Sequence, residues 1–211
     1  MTSLISSLVD FAQNLALAGG YVGVLAVAFL ENFFPPLPSE LIFPFVGFVA
    51  GRGELSLAGV ILAGTFGALL GAWFWYGIGW YLGRVNLEKF LQKFGRVMRI
   101  HFSDVEKAEA WFLRFKTPVI FFGRLVPLVR TLISIPAGFG RVSAWQFSIL
   151  SFAGSLLWIS FLAGAGFLLG ENWVGIVPWV QNYELALEVV MAVAVLLFGF
   201  WIYRHRHRAD A

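Results

Sequence analysis

The sequence of 211 residues contains no cysteine, and charged residues make up only 13% of it. The absence of cysteine excludes disulfides, thiol chemistry and cysteine-ligated metal sites. The scarcity of charge excludes an ordinary soluble domain, in which about a quarter of the residues are charged. Hydrophobic residues account for 59% of the chain, which is more apolar surface than a soluble fold of this length can hide. The composition therefore predicts an all-α polytopic membrane protein.

Signatures of catalysis are also missing. The sequence shows no nucleophile–base pair, no glycine-rich phosphate loop and no cluster of metal ligands. The histidines are few and scattered, at His101, His205 and His207, and the two in the basic tail are more typical of a solvated segment than of a metal site. The sequence therefore predicts a protein that is not an enzyme, needs no metal or cofactor, and binds no nucleic acid.

The first 14 residues lack the basic start of a signal peptide. Asp10, Gln13 and Asn14 interrupt their apolar run. Apolar and polar side chains fall on opposite faces of a helix, so the pattern predicts an amphipathic helix over residues 1–14 that lies on the membrane surface.

Four long apolar runs predict full transmembrane helices, since a span needs about 17–25 residues. They cover residues 15–30, 55–83, 142–170 and 185–203. Two shorter runs, residues 41–51 and 118–138, are interrupted by proline or arginine and predict re-entrant segments. The organisation is one membrane domain, 15–203, followed by a basic tail, 204–211. Within it we distinguish a first repeat (15–83), an amphipathic linker (84–117), a second repeat (118–170) and a last helix (183–203).

Lysine and arginine are concentrated in residues 84–116, which carry eight of them, and in the tail. The positive-inside rule therefore places both segments, and both termini, in the cytoplasm. The linker predicts two cytoplasmic amphipathic helices. Their basic residues indicate membrane orientation and packing under the bundle, with binding of anionic headgroups as the alternative. With this orientation the two re-entrant segments enter the membrane from opposite faces.

A shift of 87 residues superimposes six glycines of the first half on six of the second. The pairs are Gly51/Gly138, Gly53/Gly140, Gly67/Gly154, Gly77/Gly164, Gly79/Gly166 and Gly83/Gly170. Chance alignment of glycine-rich spans is the alternative explanation. Because the charge pattern orients the two copies oppositely, the shift predicts an inverted repeat, typical of transporters with a site between the repeats.

Four ionisable residues lie at predicted membrane depth, where each costs about 2.5–3.5 kcal/mol or more. Glu31 and Glu40 lie in the first re-entrant segment, just before its apolar run, and Arg124 and Arg130 lie in the second. Opposite charges on opposed segments predict pairing, although the glutamates would also fit the headgroup level as helix ends. The arginines suit a phosphate headgroup because a guanidinium binds two oxygens at once. The glutamates would exchange protons or act as counter-charges, and a structural role for Arg130 remains open.

Prolines mark both charged segments. A proline lacks the N–H donor that a continuous helix requires. The sequence predicts that the re-entrant helices are broken at Pro35, Pro36, Pro38, Pro127 and Pro136.

Two motifs about 90 residues apart, ENFFPPLPSE (31–40) and GRLVPLVRTLISIPAG (123–138), resemble those of the DedA family, also called the SNARE-associated or VTT-domain family. The similarity covers roughly residues 15–175. It implies a bacterial inner-membrane protein that moves undecaprenyl phosphate or phosphatidylethanolamine between leaflets. The positions that match the family's functional residues are Glu31, Glu40, Arg124 and Arg130.

The function predicted from residues and resemblance together is a lipid translocase, coupled to protons through the glutamates. Its partners would be the lipid substrate and the surrounding membrane lipids, with a homo-oligomer left open. One alternative is a proton-coupled exporter or antiporter of small cations or drugs, which the two arginines disfavour. A second is a protein that organises the membrane without transport, which would not require charges at depth.

Overall fold

The computed structural model describes residues 2–33, 39–98, 110–127, 129–170 and 172, and only the backbone of residues 2–9 and 84–98. The chain divides into two compact units, Met1–Trp173 and Val174–Ala211, and all described residues lie in the first. The predicted last span (183–203) and basic tail (204–211) therefore fall outside the described residues, as does the start of the second amphipathic helix of the linker.

Every regular element of the described chain is an α-helix. The helices are α1 (Thr2–Phe33), α2 (Ser39–Gly51), α3 (Leu57–Met98), α4 (Lys116–Gly123), α5 (Val129–Leu132), α6 (Ser134–Phe139) and α7 (Ala144–Leu169); residues 110–114 are also helical. Three stretches are long and apolar enough to cross a membrane, namely Asp10–Phe33, Leu57–Gly83 and Ala144–Leu169. The predicted all-helical membrane class is confirmed. Of the predicted spans, the three that fall on described residues are present.

The first helix differs from the prediction. Instead of an amphipathic helix 1–14 followed by a span that Glu31 ends, α1 continues through Glu31 to Phe33. Its interruption lies at Gly20, with φ 53° and ψ −133°, because glycine alone adopts such a conformation without steric cost. Glu31 remains helical and 2% exposed, so a charge at depth does not by itself end a helix.

The prolines break helices less often than predicted. Pro44 lies inside α2, where it removes one backbone hydrogen bond while the helix continues against α7. Pro136 is in the first turn of α6, where its missing N–H has no intrahelical acceptor to lose. Pro127 lies in the irregular stretch between α4 and α5. The remaining predicted breakers lie between Phe33 and Ser39, outside the described residues: Pro35, Pro36 and Pro38.

The short helices pack across the halves of the chain. In the first half, α1 packs mainly on α3, whereas α2 packs mainly on α7 of the second half. In the second half, α6 packs mainly on α3 of the first. Each short apolar helix is therefore held by the long span of the other half.

Glycines form the contact between α2 and α7. A Cβ added at Gly47 would overlap the backbone carbonyl of Ala163, and one added at Gly166 would overlap that of Pro44. The two backbones therefore approach more closely than any side chain would permit, which is the usual basis of tight helix packing in a membrane.

The contact between α6 and α3 repeats this arrangement. A Cβ at Gly138 would overlap the carbonyl of Tyr76, and one at Gly79 would overlap that of Ile135. The long-helix members, Tyr76 and Gly79, lie 87 residues before Ala163 and Gly166 of the first contact. The short-helix members are offset by 91 instead, about one helical turn more. We call these two sets the matched glycine contacts.

Their energetic weight can be tested with alanine. Gly79→Ala and Gly166→Ala are each expected to destabilise the protein by about 1–3 kcal/mol, because the methyl group has no room. Gly77→Ala and Gly164→Ala are the matched controls, since nothing lies within 4 Å of a Cβ at either position; in these helices alanine is favoured over glycine by about 1 kcal/mol. Thermal unfolding in one detergent measures all four variants. If the Gly79 and Gly166 variants are as stable as the Gly77 and Gly164 variants, the close approach of the helix backbones does not contribute to stability.

Candidate functional site

The centre of the charged region is an ion pair between α1 and α5. The Nη2 atom of Arg130 contacts the Glu31 carboxylate, and the two side chains are 11% and 1% exposed. Both residues lie in segments that the sequence assigned to opposite faces of the membrane. The structure thus brings together one acid and one base that lie 99 residues apart in sequence.

The second arginine lies deeper and is held by neutral groups. Arg124 follows α4 and is 1% exposed. Its Nη1 donates to Oδ1 of Asn32 at 3.4 Å, and its Nη2 donates to Oγ of Ser134 at 2.9 Å and of Ser151 at 3.1 Å. The guanidinium also lies 5.6 Å from the centre of the Phe147 ring, within the range of a cation–π interaction. Arg124 therefore connects α1, α6 and α7.

One donor of Arg124 remains available. Its Nε is buried and has no hydrogen-bond partner among the described residues. Backbone packing also fixes the side chain, because a Cβ added at Gly154 of α7 would lie 2.7 Å from the Cβ of Arg124 and 2.8 Å from the Phe121 carbonyl. The equivalent contact in the first half joins Gly67 to Ala28, so Arg124 occupies a position where the first half has a methyl group.

The remaining acid is also buried. Glu40, the second residue of α2, is 4% exposed and lies close enough to Glu31 for the two carboxylates to interact. Neighbouring Ser39 is fully buried and lies near the Glu31 carboxylate. Neither glutamate ends a helix, because α1 continues to Phe33 and α2 begins at Ser39. Of the four predicted ionisable residues, Glu31, Glu40 and Arg124 are therefore buried, and Arg130 is partly exposed and paired with Glu31.

A small cavity adjoins these charges. Its wall includes Glu31, Asn32, Arg124, Arg130, Ser155 and Trp158. The cavity has room for about one buried water. A phosphate headgroup is larger than one water, so the cavity would have to widen to admit it.

Several polar residues of the site were not predicted. Ser151 binds Arg124, and Ser155 lines the cavity one turn further along α7. Their spacing of four residues on an otherwise apolar span was a signal, because it places two hydroxyls on one helix face. Trp75 also contributes, because it donates its Nε1 to the Asn32 carbonyl at 2.9 Å. Within the described residues, no three His, Cys, Asp or Glu side chains are grouped to hold a metal ion.

The chain is similar to several known proteins. The family model described as the VTT domain matches residues 37–168. The chain is 40% identical over 179 residues to the "Alkaline phosphatase-like protein" of Lactococcus lactis subsp. lactis (strain IL1403), covering 84% of each chain. It is 29% identical over 198 residues to "Undecaprenyl phosphate transporter A" of Bacillus subtilis (strain 168), covering 94% of each. It is 27% identical over 223 residues to "Protein DedA" of Escherichia coli (strain K12), covering 98% of this chain and 97% of the relative. No solved structure matches the chain significantly.

Proposed function

Because this chain belongs to the VTT-domain (DedA) family, we propose that it moves an anionic phosphate lipid between the leaflets of the bacterial inner membrane. Undecaprenyl phosphate is the first candidate, since relatives along nearly the whole chain are named as its transporters; phosphatidylethanolamine is the second. The observation that carries the proposal is the Glu31–Arg130 ion pair beside a small polar cavity.

The proposed exchange is a competition for Arg130. A headgroup phosphate displaces the Glu31 carboxylate and takes both arms of the Arg130 guanidinium, a geometry that phosphate fits well. The displaced carboxylate is buried and has lost its counter-charge, so it takes up a proton. Arg124 stays in place through its three hydrogen bonds and offers the remaining Nε donor. Proton uptake by Glu31 is how transport is coupled to the proton gradient, with Glu40 as the second acid.

The proposal includes an inverted repeat with two opposed re-entrant segments and both termini in the cytoplasm. The matched glycine contacts support the repeat, because the same pairing of short and long helices recurs at fixed sequence offsets. In such an architecture the site lies between the halves, where either leaflet can reach it in turn.

A liposome assay tests the proposal. The purified protein is reconstituted in vesicles that carry labelled undecaprenyl phosphate or labelled phosphatidylethanolamine, with and without a pH gradient. We expect undecaprenyl phosphate to exchange between the leaflets. The exchange should be faster when the pH gradient drives protons in the direction of transport. Arg52→Met, at an exposed pair with Glu54, should behave as the wild type. Absence of exchange of either lipid, with the Bacillus subtilis relative active in parallel, would exclude the proposed function.

The name of the Lactococcus lactis relative gives a specific alternative. An enzyme that cleaves a lipid phosphate would release inorganic phosphate, so the same vesicles are assayed for phosphate release. We expect none above the background of protein-free vesicles. Release without leaflet exchange would favour phosphatase activity over transport.

A further inference from the structure

A tryptophan side chain forms part of the cavity wall. Trp158 of α7 lines the cavity, and its Nε1 donates to Oγ of Ser39 at 3.4 Å. The same Ser39 hydroxyl lies near the Glu31 carboxylate. A hydroxyl can accept from an indole and donate to a carboxylate at the same time. Ser39 therefore stands between Trp158 and the Glu31–Arg130 ion pair.

The other side of Trp158 is directed toward lipid. The indole is only partly buried, and its ring centre lies 6.4 Å from that of Phe161. Phe161 is 66% exposed and belongs to a helix long and apolar enough to cross the membrane. On this side of α7 the indole stands between the polar cavity and the acyl chains of the bilayer.

In the first half of the chain, the position that the 87-residue shift aligns with Trp158 has no side chain to act as a closure. Residue 71, which is 87 residues before Trp158, is glycine. A Cβ at Gly71 would lie 2.5 Å from the Cβ of Asn32 and 3.1 Å from the Phe29 carbonyl, so α1 and α3 meet there directly. A side chain can rotate out of the way, whereas a direct contact of two helices opens only if a helix moves. The removable closure is therefore at Trp158.

We propose that Trp158 is the lateral gate through which a lipid phosphate reaches Arg130, an inference that rests on the proposed function. When the indole leaves Ser39, the headgroup passes into the cavity while the hydrocarbon tail stays in the bilayer. The gate is linked to the charge exchange, because the Ser39 hydroxyl stands between the indole and the Glu31 carboxylate. By reciprocity, opening the gate also affects the position of Glu31. A water-soluble phosphate would have no use for an opening that faces lipid.

Thiol labelling measures the gate without any transport assay. The chain has no cysteine, so Ser155→Cys places one reactive group in the cavity wall, with Ala68→Cys as a second position there. The reagent is a lipid-soluble maleimide added to reconstituted vesicles. When Trp158→Ala is added to either cysteine variant, we expect labelling to be about tenfold faster. A tenfold change is what the loss of one hydrogen bond and of the packing around it would produce. Trp158→Phe, which keeps an aromatic ring without the donor, should fall between.

The chain provides a matched control. Trp73 also donates its Nε1 to a serine, Ser148, at 3.1 Å, but it lines no part of this cavity. Trp73→Ala should leave the labelling rate at either cavity position unchanged. If Trp158→Ala accelerates labelling at neither position, or Trp73→Ala accelerates it equally, the gate is excluded whether or not the protein moves lipid.

The ligand is identified by protection. With Trp158 in place, vesicles of phosphatidylethanolamine that contain undecaprenyl phosphate should slow the labelling of Ser155→Cys by about twofold at half occupancy, and by more at higher occupancy. Inorganic phosphate at the same concentration should not. Protection by inorganic phosphate alone would make the ligand water-soluble and overturn lateral access. Faster labelling in Trp158→Ala together with no leaflet exchange in the wild type would retain the opening and exclude the proposed function.

Discussion

Replacement of Arg124 by methionine is expected to lower the free energy of unfolding by about 3–5 kcal/mol. The buried region contains two carboxylates and two guanidiniums, and removing one guanidinium leaves a net negative charge without water to stabilise it. The buried hydroxyls of Ser134 and Ser151 and the amide of Asn32 also lose their donor, at a cost of about 1–3 kcal/mol for each group that finds no other partner. Titration with a denaturing detergent in mixed micelles measures the loss.

Two further variants show whether charge is the cause. Arg52→Met removes an arginine whose ion pair with Glu54 is exposed on both sides, so we expect a change below about 1 kcal/mol. Combining Arg124→Met with Glu40→Gln restores neutrality and should recover part of the lost stability. If Arg124→Met is as stable as Arg52→Met, Arg124 does not hold the helices together.

Substitutions in the Glu31–Arg130 pair are expected to affect stability and transport differently. Arg130→Gln leaves the Glu31 carboxylate buried without its counter-charge, which costs about 3–5 kcal/mol. The double variant Glu31→Gln/Arg130→Gln has neither charge, so most of that stability should return. Exchange of undecaprenyl phosphate should fall about a hundredfold in both variants, equivalent to about 3 kcal/mol, because neither retains the charged fork that binds the phosphate.

The double variant is the decisive measurement. A purely structural ion pair would regain transport together with stability once both charges are removed. A phosphate-binding Arg130 would regain stability alone. Arg130→Lys refines the result, because lysine keeps the charge without the planar two-donor geometry and should restore stability more fully than transport.

The extent of sequence prediction can be judged from particular residues. Two spans were predicted to within two residues, as Leu57–Gly83 and Ala144–Leu169, because long apolar runs have one low-energy arrangement in a bilayer. Glu31 was wrongly expected to end its helix, since its partner Arg130 comes from a distant segment and local pattern carries no trace of it. The apolar run 41–51 was expected to be interrupted by proline, but burial of α2 against α7 outweighs the one hydrogen bond that is missing at Pro44.

The site was predicted by residue type and only partly by arrangement. Charges at membrane depth pointed to Glu31, Glu40, Arg124 and Arg130, and the pairing expected of opposite charges is present between Glu31 and Arg130. That neutral groups would surround Arg124 could not be predicted, because this depends on the packing of α6 and α7. Trp158 resembled any other tryptophan of a membrane span until its hydrogen bond to Ser39 was seen.

In the proposed transport cycle, the matched glycine contacts would affect the relative populations of the inward-open and outward-open states. If each half can take the role of the other, the inward-open and outward-open conformations bury the same backbone contacts, and their free energies differ only through residues that break the match. Arg124 against Ala28 and Trp158 against Gly71 are two such positions. A bias of about 1.4 kcal/mol from them changes the ratio of the two states tenfold. The leaflet that the resting site faces would then be set by a few side chains, and exchanging those side chains between the halves should reverse the preference.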